Sequence, residues 1–225
     1  MPTVFITGAN RGLGLEFASQ YAAGGWSVIA TCRNPDRADG LRGIAGDIDV
    51  HALDVSDFGA VDAVAASLAG QPIDLLINNA GLLGSTAGFG ATDPEGWEDV
   101  FRVNAMAPLR LAEGLVENVA ASGQKKIVAV TSAMGSISAG GGGYYPYRSS
   151  KAALNMVMKS LSTDLAGRGI TVAVLHPGWA RTDMGGAGAA VPVADSVSGM
   201  RRIIGRLGLD DTGTFWGYDG GRLDW

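Results

Sequence analysis

Tyr147 and Lys151 stand four residues apart in Tyr147-Arg148-Ser149-Ser150-Lys151, a spacing that puts a phenol and an ammonium on one face of a helix. A phenol of pKa ~10 is a poor acid or base near neutrality, and a positive charge beside it stabilises the phenolate and lowers that value. The pair is therefore a candidate for general acid–base work. Taken alone it is an ordinary pattern on an amphipathic helix, so its meaning depends on what else the chain supplies. The second constellation is Thr3-Val4-Phe5-Ile6-Thr7-Gly8-Ala9-Asn10-Arg11-Gly12-Leu13-Gly14. Its β-branched and aromatic run suits a buried strand, and its glycines suit a tight turn feeding a helix. Backbone without Cβ atoms approaches a pyrophosphate closely, and the free N–H groups and dipole of the first helical turn favour the negative charge. Gly8, Asn10, Arg11, Gly12, Leu13 and Gly14 are the candidate contacts. With 35 glycines in 225 residues, about twice the usual ~7%, position and context must carry this assignment.

The elements that would hold these groups alternate. Strand-like apolar runs at Val4 to Ile6, Trp26 to Thr31, Val50 to Leu53, Ile73 to Ile77, Ile127 to Thr131, Thr171 to Leu175 and Thr214 to Trp216 make seven. Between them, helical spacing marks Gly12 to Ala23, Ser56 to Leu68, Pro94 to Ala120 with a bend expected at Pro108, and Tyr147 to Ala166. Such alternation predicts an α/β, doubly wound Rossmann fold: a seven-stranded parallel sheet with helices on both faces and ligands at the carboxyl ends of the strands. No linker or repeat divides the chain, so residues 1–225 are expected to form a single domain.

The end of the second strand bears on the ligand. An acid there accepts from ribose hydroxyls, whereas arginine accommodates a 2′-phosphate. The run reads Ala30-Thr31-Cys32-Arg33, with Arg11 in the glycine turn. This favours NADP(H) over NAD(H), with Asp36 as the residue that speaks against it. At the third strand's end, Asp54 followed by Val55 fits either an adenine contact or an N-terminal helix cap.

The fourth strand runs into Asn78-Asn79-Ala80-Gly81, and the helix after the fifth opens with Tyr147 and Lys151. With the opening octet, these resemble the short-chain dehydrogenase/reductase family in its Thr-Gly-x-x-x-Gly-x-Gly, Asn-Asn-Ala-Gly and Tyr-x-x-x-Lys motifs, and the likeness covers nearly the whole chain. Cys32-Arg33-Asn34-Pro35, Tyr145-Pro146-Tyr147-Arg148 and the ending Tyr218-Asp219-Gly220 to Trp225 are similar to its C-factor and sniffer-like carbonyl-reductase subgroup. The resemblance implies that Ser132 bonds the substrate carbonyl oxygen and that Asn104 sits in a distorted helix whose water connects Lys151 to solvent. It implies too that Asn79, Ala80, Gly81, Pro177, Gly178 and Thr182 contact the dinucleotide together with Tyr147 and Lys151. Ser132 and Tyr147 are 15 positions apart, two more than the family's usual interval, with the excess expected in Gly140 to Gly143; otherwise Ser136 is a rival. Tyr145 lacks a lysine four residues on. His176, before a Pro-Gly turn, reads as structural.

The implied reaction is hydride transfer between nicotinamide, from its pro-S face, and a carbonyl or alcohol carbon, without a metal. Tyr147 is the proton donor, Ser132 the oxyanion partner and Lys151 the tuner of the phenol and binder of the ribose. Loops at 82–92, 133–145 and 179–199 would wall the substrate; Phe89, Met134, Tyr145, Trp179 and Met184 there suggest a hydrophobic aldehyde or ketone. The other reading is an NADPH-binding signalling protein of C-factor type with little turnover. A sugar-nucleotide epimerase would carry a longer carboxyl-terminal substrate domain. With 47% hydrophobic and 17% charged residues and a net charge of −5, the chain can bury a large core and has no basic field for nucleic acid or an anionic membrane. Cys32 is the single cysteine, which fits a reducing cytoplasm. No leader or membrane-spanning run is expected. The family resemblance implies a homodimer through the helices around Trp97 to Ala120 and Tyr147 to Ala166, although some carbonyl reductases are monomers.

Overall fold

The computed structural model describes residues 1–225. Seven strands, β1 (Thr3–Ile6), β2 (Ser27–Cys32), β3 (Ile48–Ala52), β4 (Leu75–Asn78), β5 (Lys126–Val130), β6 (Thr171–His176) and β7 (Thr214–Gly217), form one sheet in the order β3-β2-β1-β4-β5-β6-β7. Every pairing is parallel. The order reverses direction between β1 and β4, and that switch point opens a crevice at the strands' carboxyl ends.

Alternation along each strand sends side chains to two cores. On one face Phe5, Leu76, Ile127, Val174 and Phe215 meet α3 (Phe58–Ser67), α5 (Ala107–Ala120) and α6 (Tyr145–Ala166). On the other, Val4, Ile77, Val128 and Leu175 meet α1 (Gly12–Ala23) and α7 (Val193–Arg206). Two short helices, α2 (Asp39–Arg42) and α4 (Pro94–Phe101), complete the set. No helix is long and apolar enough to cross a membrane.

Three local expectations change. The long helix predicted over residues 94–120 is broken by a π-helical turn over Arg102–Met106. Pro108 begins the next helix, a first-turn position where its missing N–H does no harm. The stretch expected to be loop through residue 199 is helical from Val193, because Val197, Met200, Ile203 and Ile204 recur at helical spacing and bury against α1. Helix α6 begins at Tyr145, two residues earlier than its spacing suggests.

If α7 is a core element, Ile203→Ala should destabilise the protein by about 2–5 kcal/mol. Its exposed neighbour Arg202→Ala should change stability by less than about 0.5 kcal/mol. Urea unfolding followed by circular dichroism measures both, and equal effects at the two positions would contradict this packing.

Candidate active site

The phosphate turn is assembled by contacts between β1 and β4. Thr7, the residue after β1, accepts hydrogen bonds at Oγ1 from the backbone N–H groups of Asn79 (2.9 Å) and Ala80 (3.0 Å). The Asn79 Nδ2 returns the exchange, donating to the Thr7 carbonyl at 2.8 Å and the Gly8 carbonyl at 3.2 Å. A Cβ on Gly14 would overlap the Gly8 carbonyl oxygen and stand 2.6 Å from Asn79 Nδ2, so only glycine lets α1 sit this close to the turn. Gly12 has φ +54°, a left-handed conformation that side chains resist. The amino end of α1 has no side-chain cap, with Arg11 extended before it. Its first-turn N–H groups are thus left for an anion, and the cradle fits a dinucleotide's diphosphate. Leu13 is half-buried at the start of α1, Asn10 and Arg11 are exposed, and Asn79 serves as a tie between strands.

Around the adenosine end, Cys32 is buried and Arg33 exposed. Asp54 Oδ1 accepts from the Ser56 backbone N–H at 2.9 Å and its hydroxyl at 2.7 Å. These bonds, with a smaller contribution from Arg33, hold its carboxyl below the usual range. The cap of α3 is Asp57, accepting from the Ala60 N–H at 3.1 Å, so Asp54 does not cap that helix. Val55, next to it, is buried. Asp36 makes no side-chain ion pair; its backbone closes the turn with Asn34.

The acid–base group gathers at the ends of β4 and β5. Lys151 is buried, and its Nζ donates to the Val130 carbonyl at 2.9 Å. The same nitrogen lies 5.8 Å from the Tyr147 ring centroid. Burial pulls the lysine pKa down to about 8. Burial also pushes the Tyr147 phenol above its ordinary value, with a hydrogen bond from Ser132 opposing. Desolvation here outweighs the lowering expected from a neighbouring ammonium, whose hydrogen-bond partner is the Val130 carbonyl. Ser132 follows β5 directly; its Oγ accepts from the Met134 N–H at 3.1 Å, and its hydroxyl faces the Tyr147 phenol. Ser136 is instead committed to Ser138 (3.1 Å) and the Ala139 N–H (3.2 Å). Gly140 to Gly142 form an exposed part of the intervening loop.

Asn104 lies in the middle of the π-helical turn, fully buried. Its side chain accepts from the Leu82 N–H and donates to the Leu82 carbonyl, each at 2.8 Å, and donates to Ser150 Oγ at 3.0 Å. A Cβ on Gly81 would stand 3.3 Å from Asn104 Oδ1 and 3.7 Å from Lys151 Nζ. The loop after β4, the π turn and α6 therefore meet around the lysine. Thr182 approaches the glycine turn, while Pro177 and Gly178 carry the chain away from β6. His176 Nδ1 is buried without a partner, and burial holds the imidazole below its usual pKa against a weaker pull from Asp219. It takes no part in this exchange of bonds.

Several supporting groups were not evident from residue type. Thr7 and Ser150 are such cases. So is Asn155, which accepts from Thr131 Oγ1 at 2.7 Å and donates to the Gly135 carbonyl at 3.2 Å beneath the Ser132 loop. Only the four-residue step from Lys151 to Asn155, placing both on one helix face, hinted at the last.

A strand, glycine cradle and helix, joined to a buried lysine beside a tyrosine and serine, define a Rossmann oxidoreductase site, and a family model described as short chain dehydrogenase matches residues 2–190. The chain belongs to the short-chain dehydrogenase family. It is 42% identical over 164 residues to C-signal of Myxococcus xanthus, covering 72% of this chain and 99% of that protein. Among solved structures, the carbonyl reductase Sniffer of Drosophila melanogaster matches with a TM-score of 0.94 at 33% identity over 100% of both chains. An NADPH-bound carbonyl reductase from chicken fatty liver matches with a TM-score of 0.91 at 34% identity, covering 100% of this chain and 99% of that one.

The buried lysine makes a pH prediction. Its folded pKa of about 8 lies below the unfolded value of 10.5. The fold therefore carries the full cost of burying the charge below pH 8, and that cost disappears as pH rises toward 10.5. Relative to the parent, Lys151→Met should thus lose about 2–3 kcal/mol of stability between pH 7 and pH 10. Urea unfolding at both pH values tests this, and a constant difference would show that the lysine is not depressed.

Proposed function

We propose that this chain is an NADP(H)-dependent carbonyl reductase acting on a hydrophobic aldehyde or ketone. The observation that carries the reading is the convergence of Ser132, Tyr147, Lys151 and Asn104 beside a glycine cradle shaped for a diphosphate. Gly8, Asn10, Gly12, Leu13 and Gly14 would hold the diphosphate. Arg33 and Arg11 would take the 2′-phosphate, with Asp54 and Val55 at the adenine. Asn79, Ala80, Gly81, Pro177, Gly178 and Thr182 would line the nicotinamide half. The NADPH bound in the chicken relative supports this choice of dinucleotide.

When bound, the dinucleotide supplies a hydride to the carbonyl carbon. Tyr147 donates its proton to the oxygen as charge develops there. A phenol raised by burial is fully protonated at neutral pH, the form a reduction needs. Ser132 donates a hydrogen bond to the same oxygen. Lys151 binds the ribose and, protonated at neutral pH, stabilises the phenolate that Tyr147 becomes. Asn104 holds the π turn open beside it and fixes the loop after β4. The exposed Phe89, Trp179 and Met184 on the flanking loops offer an apolar mouth.

One domain would serve dinucleotide and substrate alike. A homodimer through the outer faces of α5 and α6 is supported by an apolar groove lined by Phe58, Phe101, Met106, Leu109 and Val157. The lone buried Cys32 suits a cytoplasmic protein. The likeness to C-signal supports a second reading, an NADPH-binding signalling protein. A panel of aldehydes and ketones assayed by loss of NADPH absorbance separates the two, with turnover favouring the enzyme. In that assay Tyr147→Phe should lower kcat by about 10²–10⁴. Its NADPH affinity should stay within about twofold, since the lost hydroxyl is one contact among many. Retention of most turnover would refute Tyr147 as the donor.

A further inference from the structure

Arg11 and Asp183 form an ion pair, Nη1 to Oδ2 at 2.8 Å, joining the glycine turn to the loop after β6. Their side chains are 67% and 79% exposed, and neither makes another side-chain hydrogen bond or ion pair. Backbone contacts bring the loop there. Thr182 N–H donates to the Ala180 carbonyl at 2.8 Å, the Gly185 N–H to Thr182 Oγ1 at 3.2 Å, and a Cβ on Gly12 would stand 3.3 Å from Thr182 Cγ2. The loop is folded on itself, and its Thr182 side chain packs at the glycine turn beside the pair.

Its direction matters for the dinucleotide. Arg33 follows β2 and Asp183 follows β6, and these strands are four places apart in the sheet. Arg11 follows β1, the neighbour of β2, so a guanidinium paired with Asp183 is withheld from a phosphate bound beside Arg33. We propose that Asp183 is a positioning residue for cofactor selection: it competes with the 2′-phosphate of NADP(H) for Arg11, and so narrows the protein's preference for the phosphorylated dinucleotide. This rests on the assignment of Arg11 to that phosphate. An exposed ion pair is weak, whereas a guanidinium meets phosphate through two charge-assisted bonds. The phosphate therefore wins the exchange, and Asp183 trims affinity without abolishing it.

Dissociation constants for NADP⁺ and NAD⁺, read from intrinsic tryptophan fluorescence, test this in the parent, Asp183→Asn, Arg11→Ala and the double variant. Asp183→Asn should tighten NADP⁺ by about two- to fivefold, the range of an exposed ion pair, and leave NAD⁺ unchanged. Arg11→Ala should weaken NADP⁺ by about tenfold, the scale of a hydrogen bond to a charged group. In that background Asp183→Asn should have no effect. A merely structural role for Asp183 would not move the ratio of the two affinities. The proposal is overturned if Asp183→Asn leaves NADP⁺ unchanged or weaker, or tightens NAD⁺ equally. Arg11→Ala that weakens NADP⁺ beside an inert Asp183→Asn defeats the competition alone. Arg11→Ala that leaves NADP⁺ unchanged defeats the phosphate assignment beneath it.

Discussion

The site depends on how closely the first helix can lie against the turn that precedes it. At Gly14 the room between α1, the Gly8 carbonyl and the Asn79 amide is too small for one carbon atom. The missing side chain lets the helix terminus face the crevice. The Thr7 and Asn79 exchange then locks that turn to the end of β4. Since β1 and β4 flank the point where the sheet order reverses, the tie fixes the floor of the crevice. Buried polar groups of this kind are satisfied by one another, so removing one would strand several. Dinucleotide and substrate chemistry share this floor, which is why a small backbone constraint governs both.

A second tension is electrostatic. Lys151 is held almost without solvent and offers its ammonium to a single strand carbonyl. Burying a charge this way opposes folding, as its lowered pKa of about 8 records. The surrounding structure is arranged to keep that charge in place. Asn104 and Ser150 brace the π turn, and Gly81 leaves space beside the nitrogen. π-helical turns disrupt the regular ladder and recur at functional sites. Here the extra residue in the turn lets Asn104 reach the Leu82 backbone and Ser150 Oγ, bonds that join the loop after β4 to the π turn and the π turn to the helix carrying the lysine.

The parts legible in the sequence are those whose chemistry is local. The glycine octet, the strands and the four-residue step from Tyr147 to Lys151 declare themselves by period and spacing. The seven parallel strands followed from the alternation of elements. What could not be read depends on partners far along the chain. The role of Thr7 requires Asn79 and Ala80, more than seventy residues away. The π turn looks like continuous helix because its apolar spacing is nearly unbroken, and Pro108 drew attention to the wrong residue. The helix over Val193–Arg206 begins inside the expected substrate loop, because the glycine-rich run of Gly185, Gly186 and Gly188 before it carries no signal of where the irregular stretch ends.

The phenol shows most clearly why residue type does not settle electrostatics. Spacing put a cation near Tyr147, and proximity alone argues for a lowered pKa. In the folded chain the residue is partly buried, the ammonium faces a carbonyl, and desolvation outweighs the help from Ser132. A protonated phenol beside a hydroxyl donor is poised to give a proton, whereas oxidation of an alcohol would need that proton removed first. The same Tyr, Ser and Lys could serve either direction in principle. Packing around the tyrosine, and not the motif alone, sets which way its pKa moves.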